Sequence, residues 1–198
     1  MQRMNSKARA TAAFAAVLAL AGCVSLGKEP PDQLLTLTPA TVAPAGTNAS
    51  GTAENAIAVT DIEAPQKIDV ARVPVDINGS SLAYLKDAQW VDKPARLFGR
   101  LLSETIRAKG NRLVVSGTDL EDAAATKLSG TLSAMDYDAT SGSAIVRFDA
   151  VLQGRDGTIR SQRFESSVSG VPAQAAPVGA ALDQAANQVA AQVADWVG

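Results

Sequence analysis

The chain has 198 residues, with 18 basic and 20 acidic side chains for a formal charge of −2, no histidine and one cysteine. That balance excludes a nucleic-acid-binding domain, which needs a basic face. The missing histidine removes the commonest general base, the Ser-His and Cys-His nucleophile pairs and imidazole-ligated metals.

The first predicted element is a signal. Arg3, Lys7 and Arg9 give a positive start with no acid before Glu29, and residues 10–20 form an apolar run. That run is too short to cross the ~30 Å hydrocarbon core, which takes about 20 residues. It ends in Leu20-Ala21-Gly22-Cys23, two small residues before the one thiol. This resembles the bacterial lipobox. The resemblance implies that residues 1–22 are cleaved and that Cys23 carries a diacylglycerol and an N-acyl chain, with no other cofactor. An ordinary cleaved signal or a short core helix are the simpler alternatives. Val24 follows the cysteine rather than Asp, which by similarity to the Gram-negative sorting rule implies the periplasmic face of the outer membrane. Anchoring would come from the acyl chains at ~0.8 kcal/mol per buried CH₂. Removing residues 1–22 of 198 leaves 176 residues and takes the formal charge from −2 to −5. One domain fits that length, and without a second cysteine it must stand on packing alone.

Residues 23–55 read as a lipidated N-terminus and flexible linker, rich in Pro, Ala, Thr, Gly and Ser between residues 38 and 51. Leu34-Leu35-Thr36-Leu37 interrupts it with enough alternation for a short strand. Taken wholly as coil, this leash spans up to roughly 100 Å when pulled straight.

Residues 56–198 are the ordered domain. Residues 56–62 predict a strand. Residues 68–75 are extended, but Pro74 keeps them from a central sheet position. Asn78-Gly79 is a turn signal, and residues 82–85 pair across it. A helix opens at Asp92 as N-cap with Pro94 in its first turn. Its stripe is Leu97, Phe98, Leu101, Leu102 and Ile106, and Gly110 is placed to end it. Strands follow at 112–116, 126–137 (Leu128, Leu132 and Ala134 on one face) and 143–153. The last has Ala144, Val146, Phe148, Ala150 and Leu152 inward. The turns at 138–142 and 154–157 make these an antiparallel meander. In the strand 158–168 the apolar parity changes between Ile159 and Phe164, which predicts a bulge or a register change. An Ala-rich helix over 177–197 closes the chain, with Val178, Leu182, Ala185, Val189, Val193 and Trp196 as its stripe. The expected fold class is α/β (α+β). It would be one domain with an antiparallel-rich sheet of about five strands and two main helices on one face.

Candidates for chemistry are few. Asp136 and Asp138 lie two apart on a strand and could pair as acid and base or hold a cation. Asp61 and Glu63 share that geometry, and for both pairs a solvated strand end is the simpler reading. Val115-Ser116-Gly117 and Val168-Ser169-Gly170 are not the G-x-S-x-G elbow. Tyr84 and Trp90 could line an apolar surface for lipid, or more simply pack in the core. No catalytic, cofactor-binding or metal-ligating residue is assigned, and no enzymatic activity is expected.

The order of landmarks nevertheless resembles one family. The lipobox is followed by Leu34–Leu37, then by Ile57-Ala58-Val59 with Pro65 and Ile68-Asp69, Tyr84, Gln89-Trp90, Pro94 and Leu97-Phe98-x-x-Leu101-Leu102. Next come Leu128-x-Gly130-x-Leu132, Ala144-x-Val146-x-Phe148, Gly157-x-Ile159, Phe164-Glu165 and a helix ending at Trp196. Together they resemble the ABC-type transport auxiliary lipoproteins, which include the paraquat-inducible outer-membrane lipoprotein. The resemblance implies partners: an MCE-domain (mammalian cell entry) protein with its permease and ATPase, the membrane through the lipid anchor, and phospholipid as a further candidate, with the lipid cargo left open. It departs from the family where Leu34-Leu35 stands in place of an aromatic pair. The alternative function is an envelope assembly or regulatory lipoprotein acting on an outer-membrane protein or a peptidoglycan synthase.

Overall fold

The computed structural model describes residues 31, 33–110, 112–115 and 118–198, apart from the side chains of residues 61 and 118–120. Its elements are β1 (Ala56–Glu63), β2 (Arg72–Asp76), β3 (Leu82–Gln89), α1 (Pro94–Lys109), β4 (Leu113–Val115) and α2 (Thr118–Ala123). They continue with β5 (Thr126–Asp138), β6 (Ser143–Gln153), β7 (Ile159–Val168) and α3 (Ala175–Val197).

The long hairpin β5–β6 organises the sheet. Alternation in β6 is strict, and Ala144, Val146, Phe148, Ala150 and Leu152 are all buried on one face, as their spacing predicts. β7 pairs antiparallel with the other edge of β6 from Ile159↔Gln153 to Val168↔Ala144. The far edge of β5 is shared. β1 lies parallel to its first half and β2 parallel to its last residues. β4 extends the sheet from β1, and β3 extends it from β2. The sheet therefore has seven strands, and a one-residue parallel bridge from Leu35 to Trp90 adds an eighth segment at its rim. The expected count of about five strands is corrected upward; the sheet is antiparallel-rich as expected, through the long β5–β6 and β6–β7 ladders, but β1–β4, β1–β5 and β2–β5 pair parallel.

Pro74 sits inside this sheet, not at an edge as its ring suggested. β2 meets β5 only at Val75 and Asp76, one step beyond the proline, so the missing N–H interrupts no ladder bond there. Two other registers differ from expectation. The irregularity falls in β5, between Leu132 and Ala134, and it turns Met135 and Tyr137 toward the core. β7 has none: its register is unbroken, and Ile159 is left 68% exposed on the opposite face from Phe164.

Helices α1 and α3 cover the buried face. Phe98 of α1 meets Phe148 of β6 edge-on with centroids 5.2 Å apart, and Trp196 of α3 meets Phe164 of β7 at 5.6 Å. The alanines at 181, 185, 186, 190 and 194 bury a second flank of α3 and permit close approach. Its last turn carries no basic residue of its own. Arg112 supplies the cation by donating to the Val197 carbonyl at 3.0 Å. The short α2 and Ala124 lie on the opposite face of β1, against Ala56 and Ala58. Helix α1 starts one residue later than expected. Asp92 does not cap its amides but accepts the Lys93 N–H at 2.7 Å and pairs with Arg100. Gly110 ends it in the left-handed region at φ 73°.

Candidate functional site

The carboxylate candidates do not form a catalytic pair. Asp136 is 6% exposed, not solvated, and its Oδ2 lies 2.5 Å from Lys67 Nζ. The Tyr84 hydroxyl donates to the Lys67 carbonyl at 3.3 Å, and the Arg72 guanidinium sits 3.7 Å from the Tyr84 ring centroid. These four residues form one polar plug at an end of the sheet's uncovered face. Asp138 has separate work. It accepts the Ser141 hydroxyl and the Thr140 N–H, and these bonds hold its carboxyl below the usual range. Glu63 is exposed, and the side chain of Asp61 lies outside the described residues. Ser169 is exposed in the turn after β7, while Ser116 and Gly117 lie outside the described residues, as do residues 1–22 and Cys23. Trp90 is 1% exposed and belongs to the core, where its Nε1 has no hydrogen-bond partner among the described residues.

What the structure does assemble is a cleft over α1 closed on one side by an N-terminal strap. The Leu35 N–H donates to the Gln89 carbonyl at 2.7 Å, and the Val91 N–H donates to the Leu35 carbonyl at 2.9 Å. Leu35 then packs over Gly179 of α3, where a Cβ would come within 2.5 Å of its Cδ2. Farther on, side chains of α3 read the strap as a strand neighbour would. Asp183 Oδ1 accepts the Thr38 N–H at 2.7 Å, Asn187 Oδ1 accepts the Ala40 N–H at 2.7 Å, and Asn187 Nδ2 donates to the Thr38 carbonyl at 2.9 Å. Glu104 of α1 accepts the Ala43 N–H at 2.9 Å. Residues 35–43, inside the stretch expected to be a linker, thus run along both helices. Asp183 and Asn187 were missed from sequence. The i, i+4 spacing of Asp183 and Asn187 did not single them out, because Gln184, Gln188 and Gln192 repeat it on the same helix.

The cleft has a volume of about 1230 Å³ and is lined from the strap by Thr36, Leu37 and Pro39 and from β1 by Val59, Thr60 and Ile62. Arg96 and Arg100 of α1 share Asp92, Arg107 pairs with Glu104 and Lys93 with Asp69, and with Glu121 also in the lining the four cations of the cleft face four carboxylates. Asp92 is held below the usual carboxylate range, first by the Lys93 N–H and then by Arg100. Matched charges around half-buried aliphatic groups suit a protein surface better than a small anion. Among the described residues no helix is long and apolar enough to cross a membrane.

Comparison with known proteins adds three findings. The ABC-type transport auxiliary lipoprotein component family matches residues 35–194, starting at the first residue of the strap. Protein XCC0632 from Xanthomonas campestris is 17% identical with a TM-score of 0.69, over 83% of this chain and 94% of that one. An uncharacterized protein is 11% identical with a TM-score of 0.64, over 84% of this chain and all of the other. At these identities the likeness is one of fold. No curated protein matches the chain by sequence.

Proposed function

Because the chain belongs to the family of ABC-type transport auxiliary lipoprotein components, we propose that it is a lipid-anchored accessory of an envelope lipid transport system of the MCE type. In this reading the transporter comprises a permease, an ATPase and an MCE-domain protein carrying phospholipid. Cys23 bears the acyl chains, the outer membrane holds them, and the domain docks the periplasmic end of the transporter without a catalytic step of its own.

The observation that carries this reading is the family match over residues 35–194, most of the domain and all of the strap. The strap also sets the working distance. Only residues 23–34 separate the proposed anchor from the first bonded residue, Leu35, a reach of at most about 40 Å. The accessory would therefore act close to its membrane. The matched charges and aliphatic lining of the cleft support a protein partner there.

Crosslinking in intact envelopes followed by mass spectrometry tests the partner. Recovery of an MCE-domain protein with this chain is expected, and recovery of no transporter subunit would defeat the reading. Fractionation of Cys23→Ala tests the anchor separately. That variant should leave the membrane while keeping the wild-type circular dichroism spectrum, and its retention after a high-salt wash would refute lipidation at Cys23.

A further inference from the structure

Strand β7 is the one long, regular sheet edge among the described strands. It spans ten residues without proline or bulge, and no described strand pairs with its outer side. The other edges are blunted. β4 is three residues long, and β3 breaks register between its pairings with Arg72 and Pro74, with Asp87 in the left-handed region at φ 56°. An unblunted edge is a template for another strand.

The charges along β7 indicate which strand. Its solvent-side residues include Arg163 and Glu165, opposite in sign and flanking Phe164, which faces the helices. On β6 the paired residues have reversed signs. Arg163 Nε lies 2.5 Å from Asp149 Oδ1, and Arg147 pairs with Glu165. We propose that β7 pairs antiparallel with β7 of a second copy of this chain, about a two-fold axis at Phe164. In that register Arg163 stands opposite Glu165 of the other copy and Glu165 opposite its Arg163. Reading across the four strands, each row then alternates: Asp149, Arg163, Glu165, Arg147 in one and Arg147, Glu165, Arg163, Asp149 in the next. Like-charge neighbours are absent from this grid. Centring the axis on Arg163 or on Glu165 would set like charges face to face, and centring it on Gln162 would set Arg163 against serine. The favoured register also brings together two shallow recesses, each lined by Gln162, Phe164, Gln192, Asp195 and Trp196. Such an interface is isologous and closed, so it yields a dimer with one continuous sheet and not a fibre.

The pairing can be read by charge exchange on the full chain. Two differently tagged copies are co-expressed, solubilised in detergent, and the second is recovered through the first. Wild-type copies should co-purify. In Arg163→Glu, each β7 carries two acids and the homotypic pairs repel; in Glu165→Arg, each carries two bases with the same effect. Each variant alone should lose co-purification at least tenfold, since two opposed pairs change sign. Co-expression of Arg163→Glu with Glu165→Arg should restore it, because every opposed pair is again complementary. Circular dichroism checks that both variants fold; an unfolded variant is replaced by Arg163→Gln or Glu165→Gln, with a smaller loss expected. Wild-type copies that do not co-purify would overturn the proposal. So would single exchanges that co-purify undiminished, or a mixed pair that fails to recover while both variants are folded.

Discussion

Removing the two α3 side chains that grip the strap should open its middle and leave its start in place. In Asp183→Ala/Asn187→Ala three hydrogen bonds to the strap disappear: those from the Thr38 and Ala40 amides, at 2.7 Å each, and the one to the Thr38 carbonyl, at 2.9 Å. All three are solvent-exposed, so water replaces them and each contributes only about 0.5–1 kcal/mol, or about 2 kcal/mol together. That corresponds to a roughly 30-fold rise in the local opening equilibrium. Leu35 stays bonded to Gln89 and Val91, and the burial of Leu37 is untouched. Amide hydrogen exchange resolves the difference. Protection at Thr38 and Ala40 should fall about 30-fold, while protection at Leu35 and in β6 stays as in the wild type. If Thr38 and Ala40 exchanged as slowly in the variant, the strap would be held by apolar contact alone and the clamp reasoning would be wrong.

Lys67→Met leaves Asp136 buried without its cation and should lower stability by about 2–4 kcal/mol; adding Asp136→Leu should recover most of it, as read from urea midpoints. Gly130→Ala should cost at least about 3 kcal/mol, because at φ 154° its Cβ would press into the Asp149 carbonyl and lie 2.7 Å from the Phe148 ring; an unchanged melting temperature would contradict that packing. Asp149 has a depressed pKa, caused first by its hydrogen bond from Arg163. A depressed carboxylate stabilises the fold above its unfolded value near pH ~3.9, and that contribution is lost as pH falls through the folded value. Arg163→Gln should move the Asp149 titration, followed by NMR, back up toward the ordinary value and weaken the acid dependence of stability.

Local pattern carried part of this fold and tertiary pairing carried the rest. Helix α1 and strand β6 were legible because each buries one face against a continuous core, so their apolar spacing repeats with the helical and strand periods. The Asn78-Gly79 hairpin was legible because Gly79 takes φ 77°, a conformation the dipeptide favours. The place of β2 was not, since its partner β5 lies far down the chain and parallel pairing leaves no turn between partners to read. Nor was the end of the linker. Thr38 and Ala40 carry no apolar signal, and their bonding partners are side chains about 150 residues away. A separation of 69 residues likewise hid Lys67 from Asp136, which is why the carboxylate read as solvated when it is buried. Family membership was legible from the order of landmarks, several of them the core residues Ile57, Trp90, Phe98 and Phe148.

The shared edge of β5 has a consequence for how the chain reaches this state. β1 and β2 precede their common partner in sequence, with α1 between them and it, so both must wait for residues made later. The β5–β6–β7 meander closes through short turns and can form without them. Folding should begin in the C-terminal half, with the N-terminal strands adding to a finished template and the strap sealing last. Non-local parallel pairing of this kind is slow. A chain emerging N-terminus first would therefore hold β1 and β2 without their β5 partner until the meander appears, and during that interval it depends most on holding factors.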